Sequence, residues 1–260
     1  MIFRKIAALI TLTIMMAFST LNAGSTLKDI QRHGKLVLGT SGGMAPMTRA
    51  LKSGGAAGFD IDLANMMAQA MGVKLEIKVI AFNKLLDAVE DGKVDIAISN
   101  ITMTPERNTQ VAFVGPYFIS GKCFLSKNPA LATLNNIKLI DSIAVLEGST
   151  SETFVKVLMP KVKIVTVKDD FDGAKLVEEG KVNSMLSEYP TCALILKSKP
   201  EAEFVPLFST LTYDPIGIAL KGDDAHMINW TQNFLARIKA SGIMQSLAQK
   251  WLGDLITITP

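Results

Sequence analysis

The chain has 260 residues, 48% hydrophobic and 20% charged, a globular balance that excludes a disordered chain and fits one large or two ordinary domains. Lys and Arg number 27 against 24 Asp and Glu, a net charge of +3. Without Arg4 and Lys5 the balance is 25 against 24, which excludes a strongly basic nucleic-acid binder and an acidic tail protein.

The N-terminus reads as an export signal. Arg4 and Lys5 precede an apolar run from Ile6 to Phe18, and Leu21-Asn22-Ala23 offers a small residue at a cut, so residues 1–23 are expected to be removed near Ala23. The run is shorter than the roughly 20 apolar residues of a spanning helix, and no Cys stands near the cut for lipid attachment.

Strand and helix patterns then alternate. Lys35–Thr40 reads as a strand, and Leu63, Met66, Met67 and Ala70 form one helical stripe over Asp62–Met71. Lys74–Ile80 is a strand. Phe82, Leu85, Leu86 and Val89 repeat the stripe until Gly92 stops it, and Val94–Ser99 suits a buried strand. Thr104-Pro105-Glu106 combines a cap, a first-turn proline and an early acid, which predicts a helix start.

Farther on, Ser142–Leu146, Lys163–Val167 and Val182–Ser187 read as strands, and Ser149-x-x-Glu152 as a capping box. Helices are predicted over Asp170–Glu179, Pro190–Ser198, Asp224–Ala240 and Ile243–Leu252, with Trp230, Phe234 and Ile238 on one stripe. This alternation predicts an α/β fold with mostly parallel sheets in two lobes. Cys123 and Cys192 read as buried free thiols, with a disulfide as the alternative in an oxidising compartment.

Enzyme signals are sparse. His33 and His226 are far apart and have no partner motif, so neither a metal nor a cofactor is expected. Gly115 to Gly121-Lys122 imitates a phosphate loop, but with five intervening residues and Cys123 in place of the hydroxyl residue. What remains is a set of strand-to-helix junctions. Ser99 to Arg107 ends a strand in small polar residues, and Arg107 in a helical first turn is unfavourable unless an anion accompanies it; a capped helix with a solvated arginine is the alternative. Leu146 to Ser151 is a second such junction. Glu188 stands where an α/β sheet presents residues to a ligand and could accept from an ammonium, or could be a surface acid; Phe82 is a wall or a core residue.

Read together, Gly58-Phe59-Asp60-Ile61-Asp62-Leu63-Ala64, Gly92-Lys93-Val94-Asp95-Ile96-Ala97-Ile98, Thr102 to Arg107 and Gly115-Pro116-Tyr117-Phe118-x-Ser120-Gly121 resemble the bacterial extracellular solute-binding proteins, family 3, the polar-amino-acid receptors of ABC importers. The resemblance covers essentially the whole mature chain. It implies a periplasmic, monomeric protein with a two-lobed type II periplasmic-binding-protein fold, a small-molecule ligand and a membrane permease as partner. The chain would cross between lobes near Tyr117–Lys122 and Tyr213–Gly217. Lobe one would hold 27–117 and 218–260, and lobe two 118–217.

By resemblance, Arg107 holds the ligand carboxylate, aided by Asn100 and Thr102. Ser149 and Thr150 form the other lobe's carboxylate turn, and Glu188 pairs with the α-ammonium. Phe82 is an aromatic wall, Tyr117 beside the hinge is a further ligand-binding residue, and Asp60 and Asp62 start a helix and are not ligand contacts. Ser41 and Met44 replace an acid and an aromatic frequent in the family, and Leu146 and Ser187 replace basic or polar residues. A pocket of Ser41, Met44, Leu146 and Ser187 offers no charge to a side chain, so a neutral amino acid is the expected ligand. Two alternatives accompany this reading. One is a periplasmic dehydratase of cyclohexadienyl substrates (arogenate or prephenate), although Thr191 stands where those enzymes carry a catalytic acid; the other is a ligand-binding input to a sensor.

Overall fold

Two runs of alternating strand and helix build two five-stranded sheets. The computed structural model describes residues 26–208 and 212–256, so the export signal expected over 1–23 lies outside the described residues. Helix α1 (Thr26–His33) leads into β1 (Lys35–Thr40). Three short strands follow, β2 (Gly43–Met44), β3 (Thr48–Ala50) and β4 (Ala56–Ala57), which pair antiparallel in a small sheet of their own. Then come α2 (Phe59–Met71), β5 (Lys74–Val79), a 3-10 turn at Phe82–Lys84 running into α3 (Leu85–Glu90), β6 (Ile96–Ala97) and β7 (Ala112–Ser120).

The second run holds β8 (Lys122–Ser126), β9 (Ser142–Leu146), α4 (Thr150–Leu158), β10 (Lys163–Val167), α5 (Asp170–Glu178), β11 (Ser184–Glu188), α6 (Tyr189–Ser198) and β12 (Val205–Phe208). The chain then returns as β13 (Asp214–Leu220), α7 (Ala225–Ala240) and α8 (Ile243–Ile256). Asp224 caps α7 by accepting from the Met227 amide at 2.9 Å.

The strand orders are β5-β1-β6-β13-β7 and β10-β9-β11-β8-β12. In each sheet four strands run in one direction and one runs against them: β13 lies antiparallel between β6 and β7, and β8 antiparallel between β11 and β12. The sheets are therefore mixed but mostly parallel, as expected, and the one reversed strand in each is the strand that enters the sheet where the chain passes over from the other. Strands β7 and β13 lie side by side there, with Ser120 opposite Asp214. The sequence patterns hid these strands because Pro and Gly interrupt them, at Gly115-Pro116 and at Pro215 and Gly217.

Thr104-Pro105-Glu106 does not open an α-helix. The Arg107 amide does donate to the Thr104 hydroxyl at 3.2 Å, but only a 3-10 turn at Arg107–Thr109 forms before β7 extends the chain.

Beneath the first sheet, α2, α7 and α8 set Phe59, Leu63, Met67, Leu235 and Leu252 against Leu36, Leu38, Ile96 and Ile98. Each such side chain contributes about 1.5–3 kcal/mol on burial. Ala193 of α6 joins this cluster, so a second-lobe helix is anchored on first-lobe core near the crossings. Cys123 and Cys192 are buried free thiols, with the Cys192 thiol donating to the Cys123 carbonyl at 3.4 Å. Both histidines are exposed, and no helix among the described residues is long and apolar enough to cross a membrane.

Candidate functional site

One wall of the cleft between the lobes is the loop after β6. Asn100 sits at φ 50°, a left-handed conformation that Asn tolerates better than most residues. Its amide donates to Asp60 Oδ2 at 2.7 Å, and Asp60 Oδ1 accepts from the Tyr117 hydroxyl at 2.7 Å. Burial pushes the Asp60 carboxyl up to about 7, against these two hydrogen bonds. Thr102 forms a bridge to Ile216 on β13, and Met103 lies over Gly217, where a Cβ would meet its Cγ at 2.6 Å. Arg107 donates from Nη1 to the Thr102 carbonyl at 2.8 Å and from Nη2 to the Gly148 carbonyl at 3.0 Å, and its guanidinium carbon stands 5.5 Å from the Phe82 ring centroid. Burial lowers the Arg107 pKa, while Glu188 and Asp214 raise it.

The facing wall is the turn between β9 and α4. Gly148 has φ 75°, and a Cβ there would lie 2.6 Å from Asn83 Cβ, so glycine permits this approach of the lobes. Ser149 caps α4, its hydroxyl accepting from the Glu152 amide at 3.2 Å. Glu152 in return accepts from the Gly148 amide at 2.6 Å, one residue earlier than a standard capping box. Thr150 Oγ1 lies 3.4 Å from Thr102 Oγ1 across the cleft.

Lys122, which sequence reading set aside with the false phosphate loop, is the largest surprise. It is 2% exposed, at the first position of β8. Its ammonium contacts Glu188 Oε1 at 2.6 Å, Thr150 Oγ1 at 2.8 Å and Asp214 Oδ2 at 3.3 Å. Glu188 is thus already paired with a cation. Burial and the Asp214 charge raise the Glu188 pKa, Lys122 and the nearby Ser120 hydroxyl oppose the rise, and Glu188 Oε2 makes no hydrogen bond of full geometry. Local sequence gives no sign of this cluster, because Glu188 and Asp214 come from distant strands.

Asp170 is the second residue that sequence reading missed. It is 1% exposed at the start of α5, and its Oδ2 accepts from the Ser187 hydroxyl at 2.6 Å. Its Oδ1 is unpartnered, and burial pushes the carboxyl up to about 7, against the Ser187 hydrogen bond.

Met44, Phe82, Asn100, Thr102, Ser149, Thr150 and Glu188 all line one cavity of about 10 Å³, together with Asp170 and Ser187. That is space for about one water. Arg107 lines a neighbouring cavity beyond Phe82. Ser41 lines another, of about 220 Å³, with Val79, Ile80, Phe82, Leu146 and Val167. Tyr117, expected beside the hinge as a ligand contact, turns instead into the first-lobe core, stacked on Phe59 at 5.9 Å with its hydroxyl committed to Asp60. Among the described residues no group of three His, Cys, Asp or Glu side chains could hold a metal ion.

A profile of the bacterial extracellular solute-binding proteins, family 3, matches residues 36–254. The cyclohexadienyl dehydratase of Pseudomonas aeruginosa is 26% identical over 255 residues, which span 96% of this chain and 95% of that protein. The ABC transporter arginine-binding protein 1 of Escherichia coli is 27% identical over 75% of this chain and 81% of its own. Among solved structures, an ancestral amino-acid-binding protein that is a precursor of cyclohexadienyl dehydratase superposes with a TM-score of 0.81 at 32% identity, over 87% of this chain and 99% of that one.

Proposed function

The chain belongs to the bacterial extracellular solute-binding proteins, family 3, with their two-lobed type II periplasmic-binding-protein fold, and from that premise we propose that it captures a neutral amino acid between its lobes and delivers it to an ABC permease. In this reading it acts in the periplasm as a monomer, after its signal is removed near Ala23. The relatives are mostly amino-acid-binding proteins.

The observation that carries the reading is the convergence of Asn100 and Thr102 from one lobe with Ser149, Thr150 and Glu188 from the other on a single cavity. That cavity now has room for about one water, so an amino acid enters only when the lobes part. The bodies that move would be 27–117 with 218–260, and 118–217, turning about the two crossings.

In the closed state Arg107 spends two donors on carbonyls, one in each lobe. A ligand carboxylate that displaced the Gly148 carbonyl would receive a stronger, charge-assisted contact. Such bonds contribute roughly 1.5–3 kcal/mol each, and micromolar binding needs about 8 kcal/mol, so a clamp at both ionic ends of the ligand reaches that scale. The larger cavity beside Phe82, with Val79, Ile80, Leu146 and Val167, favours an uncharged side chain. A thermal-shift screen of amino acids finds the ligand, since binding to the folded state raises Tm. Arg107→Ala is then expected to weaken affinity at least tenfold by calorimetry. An unchanged Kd, or preference for lysine or arginine over every neutral amino acid, would overturn this reading.

A second reading, a dehydratase, is favoured by one observation besides the Pseudomonas relative. Asp170 offers a buried carboxyl near 7 in the cleft, in the range of a general acid. Turnover of prephenate or arogenate by the purified protein would transfer the function to that reading.

A further inference from the structure

Three of the residues that line the cavity of about 10 Å³ each carry a buried acceptor atom without a partner: Asn100 Oδ1, Asp170 Oδ1 and Glu188 Oε2. Leaving such an atom unpaired costs about 1–3 kcal/mol, more for a charged group, so three among the residues of one cavity call for a donor. Water brings two hydrogens. A primary ammonium is of similar size and brings three, with a positive charge suited to carboxylates. A hydroxyl or a carboxylate group placed there would meet acceptors with too few hydrogens or with none.

The charges around the cavity say which acid is available. Lys122 and Arg107 offset Glu188 and Asp214, and Lys122 touches both of those acids. Asp170 is the carboxyl left over, with one oxygen held by Ser187 and the other bare. We propose that Asp170, and not Glu188 alone, is the specificity-determining residue that receives the ligand's α-ammonium, with Glu188 Oε2 and Asn100 Oδ1 completing a three-acceptor seat. This rests on the amino-acid-binding reading above. It changes the role of Glu188, whose first partner is Lys122.

The seat also couples binding to protons. The charged and titratable groups acting on Asp170 are Asp169 beside it, Glu188 of β11, Lys122 of β8 and the Cys192 thiol of α6. An ammonium docked on the carboxyl stabilises its ionised form, so binding releases a proton near neutral pH and affinity rises with pH through about 7.

The test compares the wild type with Asp170→Asn, using the best-binding amino acid of the screen and its des-amino carboxylic acid. The wild type should favour the amino acid by at least a hundredfold. Asp170→Asn should lose at least tenfold for the amino acid and less than threefold for the des-amino acid, and its affinity should not vary between pH 6 and 8. Wild-type affinity should fall by up to tenfold per pH unit below about 7. Should Asp170→Asn fail to fold, calorimetry of the wild type in two buffers of different ionisation enthalpy decides, with proton release at pH 7 expected. An unchanged amino-acid Kd in Asp170→Asn, or no proton release by the wild type, overturns the seat and leaves the binding reading standing. Failure of every amino acid to bind the wild type overturns both.

Discussion

Asp60 and Asp170 occupy comparable places in the two lobes. Each stands in the first turn of a helix beside the cleft, each is buried, and burial pushes each carboxyl up to about 7. They differ in what their oxygens do. Both oxygens of Asp60 are taken, by the Tyr117 hydroxyl and the Asn100 amide, and the residue holds Asn100 in its left-handed turn. Asp170 has one oxygen on Ser187 and one buried without a partner. The same desolvation cost thus supports architecture in one lobe and leaves an open valence in the other. A buried polar group is a candidate for ligand contact when its hydrogen bonding is incomplete, and burial alone does not make it one.

The largest effect that sharpens this contrast is expected at the cation between the lobes. Lys122→Met removes the only positive charge in direct contact with Glu188 and Asp214 among the described residues, and leaves two buried carboxylates facing each other. Breaking a buried pair costs about 3–5 kcal/mol, so urea unfolding should show a loss of that order. A loss below about 1 kcal/mol would mean that solvent reaches the cluster and that Glu188 is free to serve as the ammonium partner by itself.

Next comes the comparison itself. Asp60→Ala strands two buried donors and should cost about 2–3 kcal/mol, whereas Asp170→Ala strands only the Ser187 hydroxyl and should cost about 1 kcal/mol. Equal losses would erase the distinction. The pH dependence adds a signature of its own. The folded Asp60 carboxyl at about 7 lies above its ordinary 3.8, so the folded state binds its proton more tightly than the unfolded chain does. Its contribution to stability is complete below about 4 and lost as pH rises through about 7. Asp60→Asn should flatten the wild-type decline in Tm between pH 4 and 7.

These residues also mark how far the sequence could be read. Periodic helices and the central parallel strands followed from apolar spacing. The loop from Asn100 to Arg107 and the turn at Ser149 were visible because small polar residues between a strand and a turn have few other uses. Lys122 and Asp170 were not visible. Lysine at a strand start and aspartate at a helix start have ordinary explanations, and only the pairing of β8 with β11, which sets Lys122 opposite Glu188, and the approach of Asp214 at the start of β13 make the lysine a buried counter-ion. Tyr117 erred in the opposite direction, because an aromatic next to a crossing can face either way, and the carboxyl of Asp60 decides it.

The smallest effect separates the two junctions that face each other across the cleft. In lobe one the cap at Thr104 leads to a single turn of three residues, while in lobe two the cap at Ser149 leads to α4, nine residues long. A cap matters in proportion to the helix it starts, because orphan amides in one turn can be met by solvent, whereas α4 aims its first turn at the cleft. Ser149→Ala should cost about 1 kcal/mol, and Thr104→Ala less than half of that by the same unfolding assay. Equal losses would mean that the short turn at Arg107 depends on its cap as much as α4 does, and that the position of Arg107 is set locally and not by its contacts with the Thr102 and Gly148 carbonyls.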